Sequence, residues 1–283
     1  MKIGLIGNNI SSSNAPNIHI RLAKIFQISL EYLLFDLKDK EENYFIVLLE
    51  ELRVAGFKGV NITFPFKEKV IKYVDDISMN SRNIGSANTL IFKKKIIAQN
   101  TDYTGFLKAY NFHFGKNAPG TILVLGAGGV SRAISFALAS LGAEKIFLID
   151  KDEIKANSLS KDLSILNINC VVTKTDQIEK NLSNCDGIIN CTPVGHYDFP
   201  GCPLGNLMPN NKQWIFDVVY TPAKTDFINK GEQVGAKIIS GIDLFIFQAI
   251  DSFLYFTEKK ENNHDLTNHI HKLRKYYFDK LYI

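Results

Sequence analysis

Short apolar runs alternate along this chain with longer segments whose apolar residues recur at helical spacing. This alternation predicts strands joined by crossover helices and favours a parallel sheet in an α/β fold. A final apolar segment from 244 to 256 predicts a helix, and a charged, amphipathic tail follows it. The predicted strands are 2–6, 31–35, 59–63, 89–92, 96–100, 121–125, 145–149, 187–191, 214–218 and 236–240.

Two of the predicted strands end in polar side chains. The strand 59–63 ends in Asn61 and Thr63, and Lys67 follows at the start of the next helix. The strand 96–100 runs directly into Thr101 and Asp102. Polar groups and a potential proton donor at strand ends are how α/β enzymes build a site. Lys67 and Asp102 are therefore catalytic candidates, although lysine and aspartate more often lie on the surface.

A glycine cluster in the second half of the chain predicts a dinucleotide site. A polar connector at 115–120 precedes the strand 121–125, which leads into Gly126-Ala127-Gly128-Gly129. An amphipathic helix and a strand ending at Asp150 follow. Small residues between a strand and a helix let a pyrophosphate approach the main chain. Ser131 replaces the third glycine of the usual pattern, so a glycine-rich turn in some other α/β protein stays an alternative.

The acidic residue after this unit bears on the choice of nicotinamide cofactor. Asp150 can accept hydrogen bonds from both ribose hydroxyls of NAD, and its charge would repel the 2′-phosphate of NADP. Lys151 and Lys155 could offset that repulsion, but lysines at a helix start are usually solvated. These residues favour NAD and leave NADP open.

Composition and charge exclude several other classes of function. The chain has 283 residues, enough for two domains, with 46% hydrophobic and 22% charged residues and a net charge of +4. No long run of one charge predicts binding to nucleic acid or to a membrane surface. No apolar stretch reaches spanning length, and the first residues predict a strand rather than a signal peptide. The four cysteines lack Cys-x-x-Cys spacing, which predicts reduced thiols, a cytoplasmic location and no metal site.

Seven segments, taken together and in order, resemble the shikimate dehydrogenase family over essentially the full length of the chain. Several are weak individually, but seven in the family's order are specific. They are GNNISSS at 7–13, NITFPFK at 61–67, IGSANT at 84–89, NTD at 100–102, GAGG at 126–129, NCTPVG at 190–195, and GIDL at 241–244 with Gln248.

The resemblance implies an NAD(P)-dependent oxidoreductase that reversibly reduces 3-dehydroshikimate to shikimate in aromatic amino-acid (chorismate) biosynthesis. It implies that Lys67 passes a proton to or from the reacting oxygen and that Asp102 orients it. The other substrate-binding residues it implies are Ser11 and Ser13 with Tyr220 at the carboxylate, and Thr63, Asn88 and Gln248 at the ring hydroxyls. The implied cofactor-binding residues are Gly126, Ala127, Gly128, Gly129, Val130, Asp150, Lys151, Thr192, Val218 and Gly241.

The resemblance also implies a two-domain layout. Residues 1–103 and 241–283 would form an α/β substrate-binding domain to which the C-terminal helices return. Residues 104–240 would form a Rossmann-type domain for NADP or NAD. Domain closure would exclude water from the substrate. The expected partner is the small-molecule substrate alone, and the expected assembly is a monomer or a homodimer.

The chain departs from the family pattern at three places. Ser11-Ser12-Ser13-Asn14 is more polar than the usual Ser-His-Ser-Leu, although both serines of interest are kept, and they could equally be capping residues of a polar loop. His196 stands where the family has a methionine that packs near the nicotinamide, and we expect it to pack as well. Asp150-Lys151-Asp152 replaces the Asn-Arg-Thr segment that grips the NADP phosphate.

Two alternatives remain open at this point. An NAD-linked quinate/shikimate dehydrogenase would share Asp150, whereas Ser13 fits the shikimate type, because several quinate enzymes have threonine there. A non-catalytic nucleotide-binding relative would keep the fold, but the presence of both Lys67 and Asp102 argues against it.

Overall fold

The computed structural model describes residues 1–259 and 263–282 and divides into two compact units. The first unit contains residues 1–104 and 248–263, and the second contains residues 105–247 and 264–283. Each unit holds one six-stranded sheet with helices, as the predicted α/β fold requires. The assignment of substrate binding to one unit and cofactor binding to the other stays a prediction.

The first unit contains a mixed sheet with strand order β2-β1-β3-β5-β6-β4. Its strands are β1 (Lys2–Gly7), β2 (Glu31–Asp36), β3 (Gly59–Ile62), β4 (Asp76–Ile77), β5 (Thr89–Phe92) and β6 (Ile96–Gln99). β1 is parallel to β2 and β3, but β5 is antiparallel to both β3 and β6. The prediction of a parallel sheet throughout is therefore wrong here. Only residues 93–95 join β5 to β6, and so short a link reverses the chain instead of crossing over.

Aromatic packing in this unit fixes the segment before Lys67. The helices are α1 (Ala15–Ile25), α2 (Glu42–Val54), α3 (Met79–Ile84) and the start of α4 (Thr101–Phe114), with a 3₁₀ turn at Lys69–Tyr73. Phe45 of α2 and Phe66 are both buried and stack with ring centroids 4.6 Å apart. Because Phe66 directly precedes Lys67, burial of the phenylalanine ring fixes the position of the backbone from which the lysine side chain extends.

The second unit contains a wholly parallel sheet with strand order β12-β11-β10-β7-β8-β9. Its strands are β7 (Thr121–Leu125), β8 (Lys145–Ile149), β9 (Asn169–Val172), β10 (Gly187–Asn190), β11 (Trp214–Asp217) and β12 (Lys237–Ile239). β7 lies between β8 and β10. From β7 the chain continues through β8 and β9 on one side of the sheet, and then through β10, β11 and β12 on the other side. This is the topological switch point at which Rossmann-type sheets bind dinucleotides, and the predicted fold class is confirmed.

Helices of the second unit pack against this sheet and against one another. They are α5 (Gly129–Ser140), α6 (Glu153–Ser164), α7 (Ile178–Leu182), α8 (Asp226–Val234) and nearly all of α10 (Asn263–Lys280), together with most of α4 and the first part of α9 (Gly241–Thr257), whose residues 248–257 belong to the first unit. Asp243 of α9 is buried and accepts from Arg274 Nε of α10 at 2.5 Å, while His113 Nε2 of α4 lies 2.8 Å from it. Three helices of this unit are thereby joined by one ion cluster.

Two short strands were not predicted from the hydrophobic pattern. β4 has only two residues, and β9 lies at the sheet edge with alternating exposed and half-buried positions. Edge strands with one solvated face carry little apolar signal.

All four cysteines are free thiols. In residues 1–259 and 263–282, no helix is both long and apolar enough to span a membrane.

Candidate active site

Lys67 and Asp102 form an ion pair at the strand ends of the first unit. Lys67 follows β3 through a loop with a cis Phe64–Pro65 bond, and Asp102 lies in the first turn of α4, just after β6. Lys67 Nζ lies 2.6 Å from Asp102 Oδ2. The lysine side chain is 20% exposed and the aspartate 8%, so the pair is largely desolvated and the lysine is the more exposed of the two. The predicted juxtaposition is present.

Asn88 is held beside this pair by its carbonyl oxygen. Asn88 Oδ1 accepts from the Thr101 amide at 2.7 Å and from the hydroxyls of Thr101 and Thr89, each at 3.1 Å. These contacts all go to the oxygen, so the amide group is oriented with its two N–H donors pointing away from them. Asn88 can therefore donate to a ligand while its carbonyl holds the start of α4.

Residues 8–14, which carry Ser11 and Ser13 and are called the serine loop below, follow β1, and Thr63 follows the neighbouring parallel strand β3. Ser11 is exposed and Ser13 is half-buried. Ser13 Oγ accepts from the Ala15 amide at 3.2 Å, so the alternative capping role is partly present, and its own proton remains available for donation. The amide of Asn8 donates to the Phe64 carbonyl at 2.9 Å, which fastens the serine loop to the loop that carries Lys67.

The two remaining predicted substrate residues lie in different units. Gln248 is half-buried on the part of α9 that belongs to the first unit. Tyr220 belongs to the second unit and stacks on Phe245 with ring centroids 4.8 Å apart. Burial raises the pKa of Tyr220 to about 12, which keeps its hydroxyl protonated as a donor.

The glycine turn of the second unit has the shape that a pyrophosphate needs. Gly126 has φ +102°, and a Cβ there would approach the Cys191 backbone to 3.0 Å. A Cβ on Gly128 would meet no atom within 4 Å, so open space lies over the turn. Gly128 precedes α5 without a side-chain cap, and the amides of Gly129 and Val130 follow at the helix start. Amides at an uncapped helix start bind phosphate groups, so these residues fit a dinucleotide.

Ser131 explains the missing third glycine of the motif. It is fully buried, and its hydroxyl donates to the Gly126 carbonyl at 2.5 Å. The serine thus closes the turn across its base, a role that a glycine could not perform. The motif pattern alone shows this serine only as a departure, because the hydrogen bond to Gly126 depends on the folded turn.

Asp150 and Asp152 organise the backbone that follows β8. Asp150 accepts from the amides of Ala127 at 2.6 Å and Asp152 at 2.8 Å, one with each oxygen. Each oxygen keeps a further lone pair, so binding of a ribose hydroxyl remains available to it. Asp152 caps α6 by accepting from the amides of Ile154 at 3.1 Å and Lys155 at 3.2 Å. Lys151 is exposed.

A buried network joins the ends of β10 and β11 in the second unit. Asn190 Nδ2 donates to Asp217 Oδ1 at 2.8 Å, and the Thr192 hydroxyl donates to Asn190 Oδ1 at 2.6 Å. The Thr225 hydroxyl donates to Asp217 Oδ2 at 2.6 Å, and the Val219 amide donates to Oδ1 at 3.0 Å. Burial raises the pKa of Asp217 to about 7. Sequence analysis missed Asp217, although its signal was a carboxylate ending a strongly apolar strand.

The remaining predicted cofactor positions surround this network. A Cβ on Gly241 would lie 2.6 Å from the Val218 carbonyl oxygen, so α9 can start there only with glycine. Val218 is half-buried beside it. His196 is half-buried, and its Nδ1 accepts from the Asp198 amide at 3.2 Å. Across the described part of the chain, no group of histidine, cysteine and carboxylate side chains is suited to hold a metal ion.

Comparison with known proteins identifies the relatives of this chain. Residues 5–90 match the model of the shikimate dehydrogenase substrate binding domain. The shikimate dehydrogenase (NADP(+)) of Pseudarthrobacter chlorophenolicus is 31% identical over 90% of this chain and 89% of its own length. The corresponding Clostridium botulinum protein (strain Loch Maree) is 34% identical over 87% of this chain and 92% of its own length.

A solved structure resembles the whole chain. The quinate dehydrogenase of Corynebacterium glutamicum, in complex with NAD, superposes with a TM-score of 0.88 at 26% identity, covering 99% of both chains. The relatives thus include proteins named for NADP and a structure that contains NAD.

Proposed function

This chain belongs to the shikimate dehydrogenase family, and from that premise we propose that it reversibly reduces 3-dehydroshikimate to shikimate with NADP or NAD. A small-molecule substrate and a nicotinamide cofactor follow from family membership. The residues proposed for the site are those that the resemblance implies, and the geometry of this chain supports several of them.

The observation that carries the proposal is the 2.6 Å ion pair between Lys67 and Asp102. Reduction of a ketone adds a hydride to carbon and a proton to oxygen, and the reverse reaction removes both. Lys67 is the group we propose to hold that proton, because its side chain is partly exposed while Asp102 fixes the position of its ammonium group. In the oxidative direction the neutral lysine takes the proton of the substrate hydroxyl.

The surrounding donors fit a polyhydroxylated acid. We assign the substrate carboxylate to the hydroxyls of Ser11 and Ser13, with Tyr220 as a further donor. The ring hydroxyls are assigned to Thr63, Asn88 and Gln248. The best supported of these is Asn88, because three hydrogen bonds to its carbonyl leave its amide group to donate. Such a convergence of donors is what a small, polar ligand requires.

The second unit holds the residues that we assign to the cofactor. When bound, the nicotinamide group would accept or supply the hydride. Gly128, Gly129 and Val130 offer main-chain amides to the pyrophosphate, and Asp150 offers its remaining lone pairs to the ribose. The further positions assigned to this site are Gly126, Ala127, Lys151, Thr192, Val218 and Gly241.

A second candidate is an NAD-dependent quinate/shikimate dehydrogenase. Asp150 favours it, as does the similarity to the NAD-bound quinate dehydrogenase structure. The deciding experiment measures kcat/KM for shikimate and for quinate, each with NAD⁺ and with NADP⁺, from the absorbance of the reduced nicotinamide. Shikimate preference supports the main proposal, and quinate preference supports the second. No reduction of either cofactor with either substrate would favour a non-catalytic relative.

The proposal has three further features, which concern location, assembly and metabolic context. A cytoplasmic location follows only from cysteine usage. A monomer or homodimer is expected from the family. The place in chorismate biosynthesis follows from the proposed substrate.

A further inference from the structure

The Asp36 carboxylate accepts hydrogen bonds from two consecutive backbone amides at the start of the serine loop. Asp36 ends β2, and its two oxygens accept from the amides of Asn9 and Ile10, each at 3.0 Å. Oδ1 also accepts from the Lys38 amide at 2.9 Å. Consecutive main-chain amides form a small concave anion site, and here an internal carboxylate fills it. These hydrogen bonds, with the Lys38 amide first, lower the pKa of Asp36.

The loop has a defined backbone shape and is packed on two sides. Asn9 has φ +55°, a left-handed conformation that asparagine adopts more readily than most residues other than glycine. Gly7, just before it, packs so closely on Thr63 that a Cβ would lie 2.2 Å from Thr63 Cγ2. Ile10 is buried in a cluster with Ile3 and Leu5. The loop is thus held on one side by apolar packing and on the other by Asp36.

From the fixed amide of Ile10 the chain turns directly into the serines. The Ser13 amide donates to the Ile10 carbonyl at 3.0 Å, and Ser13 Oγ accepts from Ala15. An orientation set at Ile10 therefore passes to Ser13 through one hydrogen bond and three residues of chain. We propose that Asp36 is a positioning residue: it sets the serine loop in the conformation that binds the substrate carboxylate.

This inference rests on the proposed function and predicts an effect confined to one part of the substrate. Asp36 touches no residue of the Lys67–Asp102 pair, so the chemical step and cofactor binding need not change. Loss of loop order weakens recognition of the carboxylate, which raises KM for shikimate and leaves kcat nearly unaltered. An uncharged ester of shikimate lacks the carboxylate that the serine loop recognises. Its KM therefore contains no contribution from carboxylate binding and should not depend on Asp36.

The test compares wild type, Asp36→Asn and Asp36→Ala with shikimate and with methyl shikimate at saturating cofactor. Asn keeps one carbonyl acceptor, so KM for shikimate should rise about threefold in Asp36→Asn and about tenfold in Asp36→Ala. KM for the ester and kcat should change less than twofold. Asp39→Asn is the matched control, since Asp39 is an exposed carboxylate three residues after Asp36, in the loop that follows β2, and its φ of +63° suits asparagine.

Each outcome has a defined meaning. An unchanged KM for shikimate in both variants, or an equal rise for acid and ester, overturns the positioning role and leaves the proposed function standing. A wild-type enzyme that oxidises neither compound overturns the proposed function, and this inference with it. Thermal unfolding by circular dichroism verifies that the variants are folded; should Asp36→Ala be unfolded, the predicted threefold rise in Asp36→Asn alone decides.

Discussion

Each unit contains a carboxylate buried at its strand ends, but the two carboxylates have different partners. Asp102 in the first unit pairs with the Lys67 ammonium at 2.6 Å. Asp217 in the second unit accepts only from neutral donors: Thr225, Val219 and Asn190. Burial without a cation raises the pKa of Asp217 to about 7. The same residue type at the same kind of position thus has two electrostatic states.

The difference separates a group suited to chemistry from one suited to structure. The first pair includes the ammonium group of a partly exposed lysine, whose proton a reaction can use. The hydrogen bonds of the Asp217 network join the ends of β10 and β11 to the loops that follow them, so the network holds those loops in place. A buried polar side chain is therefore evidence for catalysis only when it keeps a group free to act. The following predictions test this contrast.

The largest expected effect is on turnover when the lysine is removed. Lys67→Ala should lower kcat by about 10²–10⁴-fold, the range of general acid–base catalysis. Cofactor affinity, measured by quenching of protein fluorescence, should stay within twofold of wild type. Lys72→Ala is the control, because Lys72 is an exposed lysine of the neighbouring 3₁₀ turn. Near-normal kcat in Lys67→Ala would show that this residue is not catalytic, and the proposed difference between the Lys67–Asp102 pair and the Asp217 network would be wrong.

The next effect is on stability when the second carboxylate is removed. Asp217→Ala removes the acceptor of three buried hydrogen bonds and should lower the free energy of unfolding by about 2–4 kcal/mol. Asp217→Asn keeps one carbonyl acceptor and should cost less. Both values come from urea denaturation, with the exposed Asp176→Asn as control. If Asp217→Asn instead lowers kcat as much as Lys67→Ala does at full stability, the second carboxylate belongs to the chemistry.

A third test uses pH, because the two units bury titratable groups of opposite sign. His19 in the first unit is buried, stacks on Tyr32 and has its pKa lowered to about 3 by burial. Between pH 3 and 6.5 the unfolded state binds a proton that native His19 does not. The first unit therefore loses stability as pH falls through this window.

Asp217 acts in the opposite direction. Its folded pKa of about 7 lies above the value of about 3.9 in the unfolded chain. Native Asp217 holds a proton that the unfolded state has lost, so the second unit loses stability as pH rises from about 4 to 7. Each effect is on the order of a few kcal/mol.

Hydrogen exchange resolved by peptide can separate these slopes, after correction for intrinsic exchange rates. Protection in the first unit should rise from pH 5 to 7, and protection in the second should fall. His19→Leu should flatten the first slope, and Asp217→Asn the second. Parallel slopes in both units would contradict the different burial of these two groups.

How far the sequence predicts this molecule depends on the range of each interaction. The parallel sheet of the second unit and the Gly126–Gly129 turn follow from local periodicity and from residues adjacent in the chain. Lys67 and Asp102 were candidates because each follows a predicted strand end, and the resemblance to the shikimate dehydrogenase family implied that they act together. The antiparallel β5 and the role of Asp217 were not predicted. They depend on sheet order and on burial by distant residues, which a local pattern does not contain.

The smallest expected effect concerns cofactor choice. It tests whether a carboxylate of the second unit weakens NADP⁺ binding through its negative charge. Asp150→Asn, an obvious variant, is a poor probe, because Asp150 also accepts from the Ala127 and Asp152 amides. Asp152→Ser removes one charge and keeps a capping oxygen for α6. It should strengthen NADP⁺ binding about threefold and leave NAD⁺ binding unchanged, with less change at high salt. Calorimetric titration measures both, and Glu153→Gln is the neighbouring control. An equal change for both cofactors would mean that Asp152 acts through the cap of α6, and that its charge does not reach the 2′-phosphate.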